Sequence, residues 1–202
     1  VEQLTLENQR LRELLGMRER ADTAAQGAQV LYDAADPYAR KVVIDRGQAQ
    51  GVVLGSPVVD ERGVLGQVTR VYPMVSEVSL LVDPDQVMPV LNTRTGARYV
   101  AYGQPGPQGD GLELRYTLAN ADIREGDLLT TSGVDGVYPA GLPVARVTSV
   151  EHRADQTFAR ILCEPLARTD GVLHVLVLAP VTLPQAADDT AAAAVSTGET
   201  RP

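Results

Sequence analysis

Residues 52–84, VVLGSPVVDERGVLGQVTRVYPMVSEVSLLVDP, and residues 123–165, IREGDLLTTSGVDGVYPAGLPVARVTSVEHRADQTFARILCEP, read as two copies of one plan. Gly55 matches Gly126. The run GQVTRV from Gly66 matches ARVTSV from Ala145, and LLVDP from Leu80 matches ILCEP from Ile161. The second copy is longer between its first two strands, where GVDGVYPAG is inserted. Threonines, a Ser-Gly pair and two aspartates collect there, a mixture that a hydrolase site could use. The first copy has no Ser, Thr or His at its equivalent turn. What the copies share is glycines, a strand pair and a closing acid–proline, which marks the stretch as architecture. Gly133, Gly136 and Gly141 then supply the positive φ of tight turns, and Pro139 fixes a corner.

Outward from the repeat, apolar residues recur with a period of two in short runs: QVLYDA, KVVIDRG, SPVVD, VLGQVTRVY, EVSLLVD, VMPVLN, ARYVAYG, LELRYTL, DLLTTS, LPVARVTSV, FARILCEP and HVLVLAP. Gly, Pro, Asn and Asp separate them, as in a sandwich or barrel. A duplicated set of short strands with glycine corners suits two six-stranded β-barrels, which close and so hide their edges. The fold class is therefore mainly β, with a chymotrypsin-like barrel plan behind an N-terminal helix. The simplest partition is a helix over 1–26, a first barrel over 27–96, a second over 97–180 and a disordered tail over 181–202, which loses hydrophobic periodicity. A terminal strand that crosses to complete the other barrel fits the pattern too.

The opening segment, VEQLTLENQRLRELLGMRER, is the one long helical pattern. Val1, Leu4, Asn8, Leu11 and Leu15 fall at spacings of three and four, the a/d seam of a coiled coil. Asn8 at an a position selects a two-stranded, in-register partner, because its amide must meet its mate's. Four acidic and four basic residues balance over residues 2–20, as on a solvated coil surface. Gly16 and Gly27 are expected to loosen and end the helix. The chain starts inside this pattern without a methionine, and we read it as a fragment whose N-terminus was cut away.

The chain has 202 residues, 18 basic against 26 acidic, for a net charge of −8, so a nucleic-acid partner is excluded on counterion grounds. A single cysteine, Cys163, sits in an apolar run, where it reads as a small buried hydrophobe and can form no intramolecular disulfide. No window of 18 apolar residues spans a membrane, and no signal peptide is visible. The two histidines, His152 and His174, both follow Ser132, against the His–Asp–Ser chain order of barrel proteases, and TTSGV is not a nucleophile elbow. Two histidines and one cysteine far apart hold no zinc, and Asp122, Asp127 and Asp135 lack calcium-loop spacing. No catalytic, cofactor or metal residue is assigned.

In this light LTLENQRLRELLGM, DPYARKVVIDRGQAQGVVLGSPVVDERGVLGQV and ADIREGDLLTTSGVDGVYPAGLPVARV resemble the MreC family of rod-shape-determining proteins, over nearly all of residues 1–180. The resemblance implies a non-enzymatic cell-shape scaffold, a homodimer able to form filaments. It implies a place on the periplasmic face of the bacterial inner membrane, anchored by a transmembrane helix outside this chain. Implied partners are a class B penicillin-binding transpeptidase with RodA, MreD and MreB, in the complex that elongates peptidoglycan. Surface tyrosines add amphipathic contact area, and Tyr99, Tyr102, Tyr116 and Tyr138 are the candidate partner contacts. The alternatives are a degenerate chymotrypsin-like serine hydrolase and a peptidoglycan-binding module that stacks sugars on those tyrosines.

Overall fold

The computed structural model describes residues 2–180 except 22, 23, 35, 108 and 153, and only the backbone over 17–21. Val1 of the expected seam and the tail at 181–202 lie outside the described residues. A helix, α1 (Glu2–Ala21), precedes β1 (Ala25–Asp33), β2 (Lys41–Ile44), β3 (Pro57–Val59), β4 (Val64–Val71), β5 (Ser76–Leu80) and β6 (Val87–Asn92). Then follow β7 (Arg98–Gln104), β8 (Gly111–Leu118), β9 (Leu128–Thr131), β10 (Pro143–Glu151), β11 (Phe158–Pro165) and β12 (His174–Leu178). They form two closed six-stranded barrels, ordered β1-β12-β3-β4-β5-β2 and β10-β11-β8-β7-β6-β9, with every pairing antiparallel.

The duplication read from the sequence is geometric. β3-β4-β5 and β9-β10-β11 are equivalent, and they are entered through Gly55 at φ 84 and Gly126 at φ 89. The Gly55 N–H donates to Val68 O at 2.9 Å, as the Gly126 N–H does to Val147 O at 2.8 Å. The ladder is irregular at matching places, between Val68 and Arg70 and between Val147 and Ser149. Leu81 N donates to Leu65 O where Leu166 N donates to Val144 O. The GVDGVYPAG insertion is a turn: Gly133, Gly136 and Gly141 all have positive φ, and the Thr131 hydroxyl donates to Pro139 O and accepts from Leu142 N.

The partition at residue 96 does not follow the pairing. β6 pairs with β7 and β9 in the second barrel, and β12 pairs with β1 and β3 in the first. The strand role that opens the second barrel is thus filled in the first by the last strand of the chain. After each copy's closing acid–proline, at Asp83-Pro84 and Glu164-Pro165, the chain crosses to the other barrel. The boundary at 26 also moves. An isolated glycine costs a helix about 1 kcal/mol relative to Ala, a tolerable amount, and α1 runs through Gly16, whereas Gly27 lies within β1 opposite Leu176.

β12 shows why the crossing is stable. Its Val175 and Val177 join the core of the first barrel with Ile44, Val58 and Leu80. Its Leu176 and Leu178 face the other way, in the cluster that holds Met88, Val90, Leu129 and Leu142 of the second. An unbroken apolar run, the VLVL that follows His174, is what a strand buried on both faces requires. Two wholly buried carboxylates hold the crossings. Asp60 Oδ1 accepts the Arg62 and Gly63 N–H groups at 2.8 and 3.0 Å, and its Oδ2 accepts Arg168 N–H at 2.7 Å, on the second crossing. Asp83, on the first, accepts the Arg40 and Asp85 N–H groups at 2.8 and 2.9 Å. Arg40 reaches on to Asp110 of the second barrel at 2.8 Å, and a Cβ at Gly63 would overlap the Pro143 carbonyl.

Ending the chain at residue 173 removes one of the six strands of the first barrel, and with it the Leu176 and Leu178 that pack on the second. The expected result is loss of dispersed amide signals from both barrels in an NMR spectrum, rather than from the first alone.

Candidate functional site

The outer face of the second barrel gathers exposed apolar side chains on three adjacent strands. Along β7, Ala101 points inward while Val100 and Tyr102 point out; along β11, Ala159, Ile161 and Cys163 fill the core while Phe158 and Arg160 face solvent. Between them β8 carries a bulge. Ala159 pairs with Thr117 and Ile161 with Leu114, so Arg115 and Tyr116 together oppose Arg160 alone. Tyr116 occupies the bulge at φ 61, the only positive φ of a non-glycine residue among the described residues. A left-handed conformation costs an L residue about 1–2 kcal/mol. Here it turns outward a ring that strict alternation would bury, leaving Tyr116 70% exposed.

The Tyr116 ring meets Tyr102 edge-on at 6.3 Å between centroids and Phe158 at 6.1 Å. The Arg115 guanidinium lies 4.5 Å above the Tyr102 ring, a cation–π contact that holds the aromatic in place. Beside the rings, a cleft of about 370 Å³ is lined by Tyr99, Tyr116, Leu118 and Asp122. Burial, aided by Asp122 and Asp127, holds the Tyr99 hydroxyl above the usual phenol range.

One wall of this cleft is fixed by an ionic clasp. Arg94, in the β6–β7 turn, forks onto Asp127 through Nε at 2.8 Å and an Nη at 2.9 Å, and reaches Asp122 at 3.1 Å. Buried Asn92 donates to Asp127 at 2.8 Å and the Arg124 N–H at 2.9 Å. The Arg94 guanidinium is the chief reason that the Asp127 carboxyl sits far below the usual range, and it lowers Asp122 in the same way.

Of the four candidate tyrosines, Tyr99, Tyr102 and Tyr116 are brought together. Tyr138 is not: it is 4% exposed, packed in the core of the second barrel, and its burial pushes the hydroxyl far up. Its neighbours Gly136 and Pro139 set a turn that folds the ring under the sheet, so it is no partner contact. Phe158, Leu118 and Arg115 were absent from the sequence reading. The alternation of FARILCEP places Phe158 opposite the core residues Ala159 and Ile161, but that face is identifiable only once the register is known.

On α1, Leu4, Asn8, Leu11 and Leu15 share one exposed face, with Leu4 at 73%. The adjacent stripe of Gln3, Glu7, Arg10 and buried Leu14 is turned toward the first barrel, across a cleft that Glu7 spans to reach His174 at 3.2 Å. The expected coil seam and the side turned toward the barrel are therefore different faces, because positions one residue apart lie about 100° apart on a helix.

Ser132 and the histidines are not assembled. The Ser132 hydroxyl accepts Val134 N–H at 3.4 Å. His174 lies in the first barrel at 3.2 Å from Glu7. His152 follows the far end of β10, a nine-residue strand that at about 3.3 Å per residue sets it roughly 25–30 Å away. Burial pushes the Cys163 thiol up to about 12, so it carries no thiolate at neutral pH.

Comparison with known proteins bears on this architecture. The family "Rod shape-determining protein MreC, barrel core" matches residues 30–179. Cell shape-determining protein MreC of Escherichia coli K12 is 40% identical over 172 residues, 85% of this chain and 46% of that protein. The chain spans about half the length of the curated relatives it matches. A solved MreC structure superposes with a TM-score of 0.79 at 39% identity, covering 87% of this chain and 99% of that one. The fold is also shared, with a TM-score of 0.58 at 13% identity over 77% of this chain and 99% of the other, with a chain from the complex between Penicillin-Binding Protein (PBP2) and MreC of Helicobacter pylori.

The clasp makes a pH-dependent contribution. Because the folded-state Asp127 carboxyl is depressed, its stabilisation is fully present above about pH 5 and is lost as pH falls through and below the unfolded carboxylate range near 4. Urea titrations from pH 7 to pH 3 should show this loss, and Arg94→Gln should flatten it. Asp127→Ala, which strips the buried Asn92 amide of its acceptor, should lower stability by about 1–3 kcal/mol at pH 7.

Proposed function

The chain belongs to the MreC family of rod-shape-determining proteins, and from that premise we propose that it is a non-enzymatic scaffold for the peptidoglycan-elongation machinery. In this reading it pairs through α1 and presents the outer face of the second barrel to a class B penicillin-binding transpeptidase. The observation that carries the reading is the strained, outward Tyr116 between Tyr102 and Phe158. Backbone strain spent on exposing an aromatic ring serves contact rather than packing. The Helicobacter pylori relative of this fold, which forms a complex with PBP2, supports the class of partner. Family membership extends the same proposal to RodA, MreD and MreB as co-members of the complex, and to the periplasmic face of the inner membrane. Among the described residues no helix is long and apolar enough to cross a membrane, so the anchor in this reading lies in the rest of the protein.

The exposed stripe of Leu4, Asn8, Leu11 and Leu15 supports a homodimer, because a single chain leaves it uncovered while Leu14 already holds the barrel. Such a pair displays two copies of the aromatic face on one stem, which raises the effective concentration of a second contact.

Two measurements test this. Binding to the outer domain of the transpeptidase, followed by surface plasmon resonance, should weaken about tenfold or more with Phe158→Ala or Tyr116→Gly. Tyr116→Gly should leave stability within about 1 kcal/mol of the native chain, since relief of the positive φ offsets the lost ring contacts. Unchanged binding in both variants removes the aromatic face from the proposal. Sedimentation of Asn8→Leu against the native chain should show altered assembly if the seam pairs. A chain that stays monomeric at high concentration contradicts the dimer.

A further inference from the structure

A second cleft, of about 430 Å³, lies between α1 and the first barrel, away from the aromatic face. Its walls come from α1, the β3–β4 turn and the β11–β12 crossing, and its volume falls in the range of small-ligand sites, about 300–1,000 Å³. The charges on those walls are not paired off. Glu7 is held by His174 at 3.2 Å. Arg10, Arg168 and Glu61 also line the cleft, each half-buried, and none has an ion-pair partner among the described residues. A half-buried charge that lines a cleft without a partner gains free energy from a ligand carrying the opposite charge.

Apart from Gln3, the rest of the lining is apolar and partly exposed. Leu6 and Leu173 are 55% and 54% exposed at the mouth, while Leu14 closes the floor. Two guanidinium groups offer planar forks for a carboxylate, and the Glu61 carboxylate offers a seat for an ammonium. The leucines offer dry surface to small alkyl groups. A purely anionic ligand would leave Glu61 opposed, and a purely cationic one would face both arginines, so one ligand bearing both charges satisfies the set best.

We propose that the cleft between α1 and the first barrel is a binding site for a short zwitterionic peptide with small apolar side chains. Arg10 and Arg168 take its carboxylate, Glu61 takes its ammonium, and Leu6, Leu14 and Leu173 cover its alkyl groups. Because the walls belong to both α1 and the barrel, an occupant ties the helix to the barrel. The proposal stands independently of which partner meets the aromatic face.

The test is an amide NMR titration of the intact chain with trialanine, which carries a free amine, a free carboxylate and three methyl groups. Saturable shifts are expected at Arg168 and across Gly171, Val172, Leu173 and His174. N-acetyl-trialanine amide, which lacks both charges, should give none. Arg168→Gln and Glu61→Gln should each weaken trialanine by about five- to tenfold, the loss of one charge contact. Arg168→Gln keeps the backbone N–H that Asp60 accepts, and Arg10→Gln repeats the reading from the helix side should that variant not fold. Equal binding of capped and free peptide, native affinity in the folded variants, or no saturable shift up to about 50 mM would each overturn the site.

Discussion

Neither sheet closes without a strand carried across the waist, and most other features of the molecule follow from that exchange. The first barrel waits for β12, the last strand in the chain, and the second begins with β6, which follows directly on the first barrel's β5. Burial follows from topology: β12 fills one barrel with Val175 and Val177 and packs on the other with Leu176 and Leu178. The crossings bring buried backbone N–H groups into the waist, where each must find an acceptor. Asp60 and Asp83 supply it, at the cost of desolvation that raises the Asp60 carboxyl. The same geometry leaves no room for a side chain at Gly63.

A body locked in this way suits the proposed scaffold role. Two surfaces remain outside the lock. The helix offers Leu4, Asn8, Leu11 and Leu15 because its neighbouring stripe is turned toward the barrel. The second barrel offers Tyr102, Tyr116 and Phe158 because a bulge turns the central ring outward. Each surface is rigidly referred to the other through the waist, so a partner at the aromatic face is fixed relative to the stem.

Much of this was legible before any coordinates. The pairing of Gly55 with Gly126 and of GQVTRV with ARVTSV identified the duplication, and period-two runs located all twelve strands. The turn read at 133–141 is present, with Gly133, Gly136 and Gly141 at positive φ. The strand partition was not legible, because sequence order suggests that neighbours pair, and nothing local to VMPVLN says which barrel it serves. The bulge at Arg115 and Tyr116 was also hidden, since LELRYTL alternates as an ordinary strand would. Tyr138 was misplaced for a related reason: a tyrosine between Gly136 and Pro139 looks exposed until the turn is seen to fold beneath the sheet. Phe158, the chain's only phenylalanine, drew no expectation from the sequence, and register places it on the surface.

The interlocked waist is tested most directly by differential scanning calorimetry of the intact chain, with hydrogen exchange followed in parallel. Barrels that share strands should melt in one transition, with the calorimetric and van't Hoff enthalpies equal. The amides of Val175 and Val177 should then exchange at the same global rate as those of Leu114 and Ile161. Two separable transitions, with β12 opening well before the second barrel, would contradict the account.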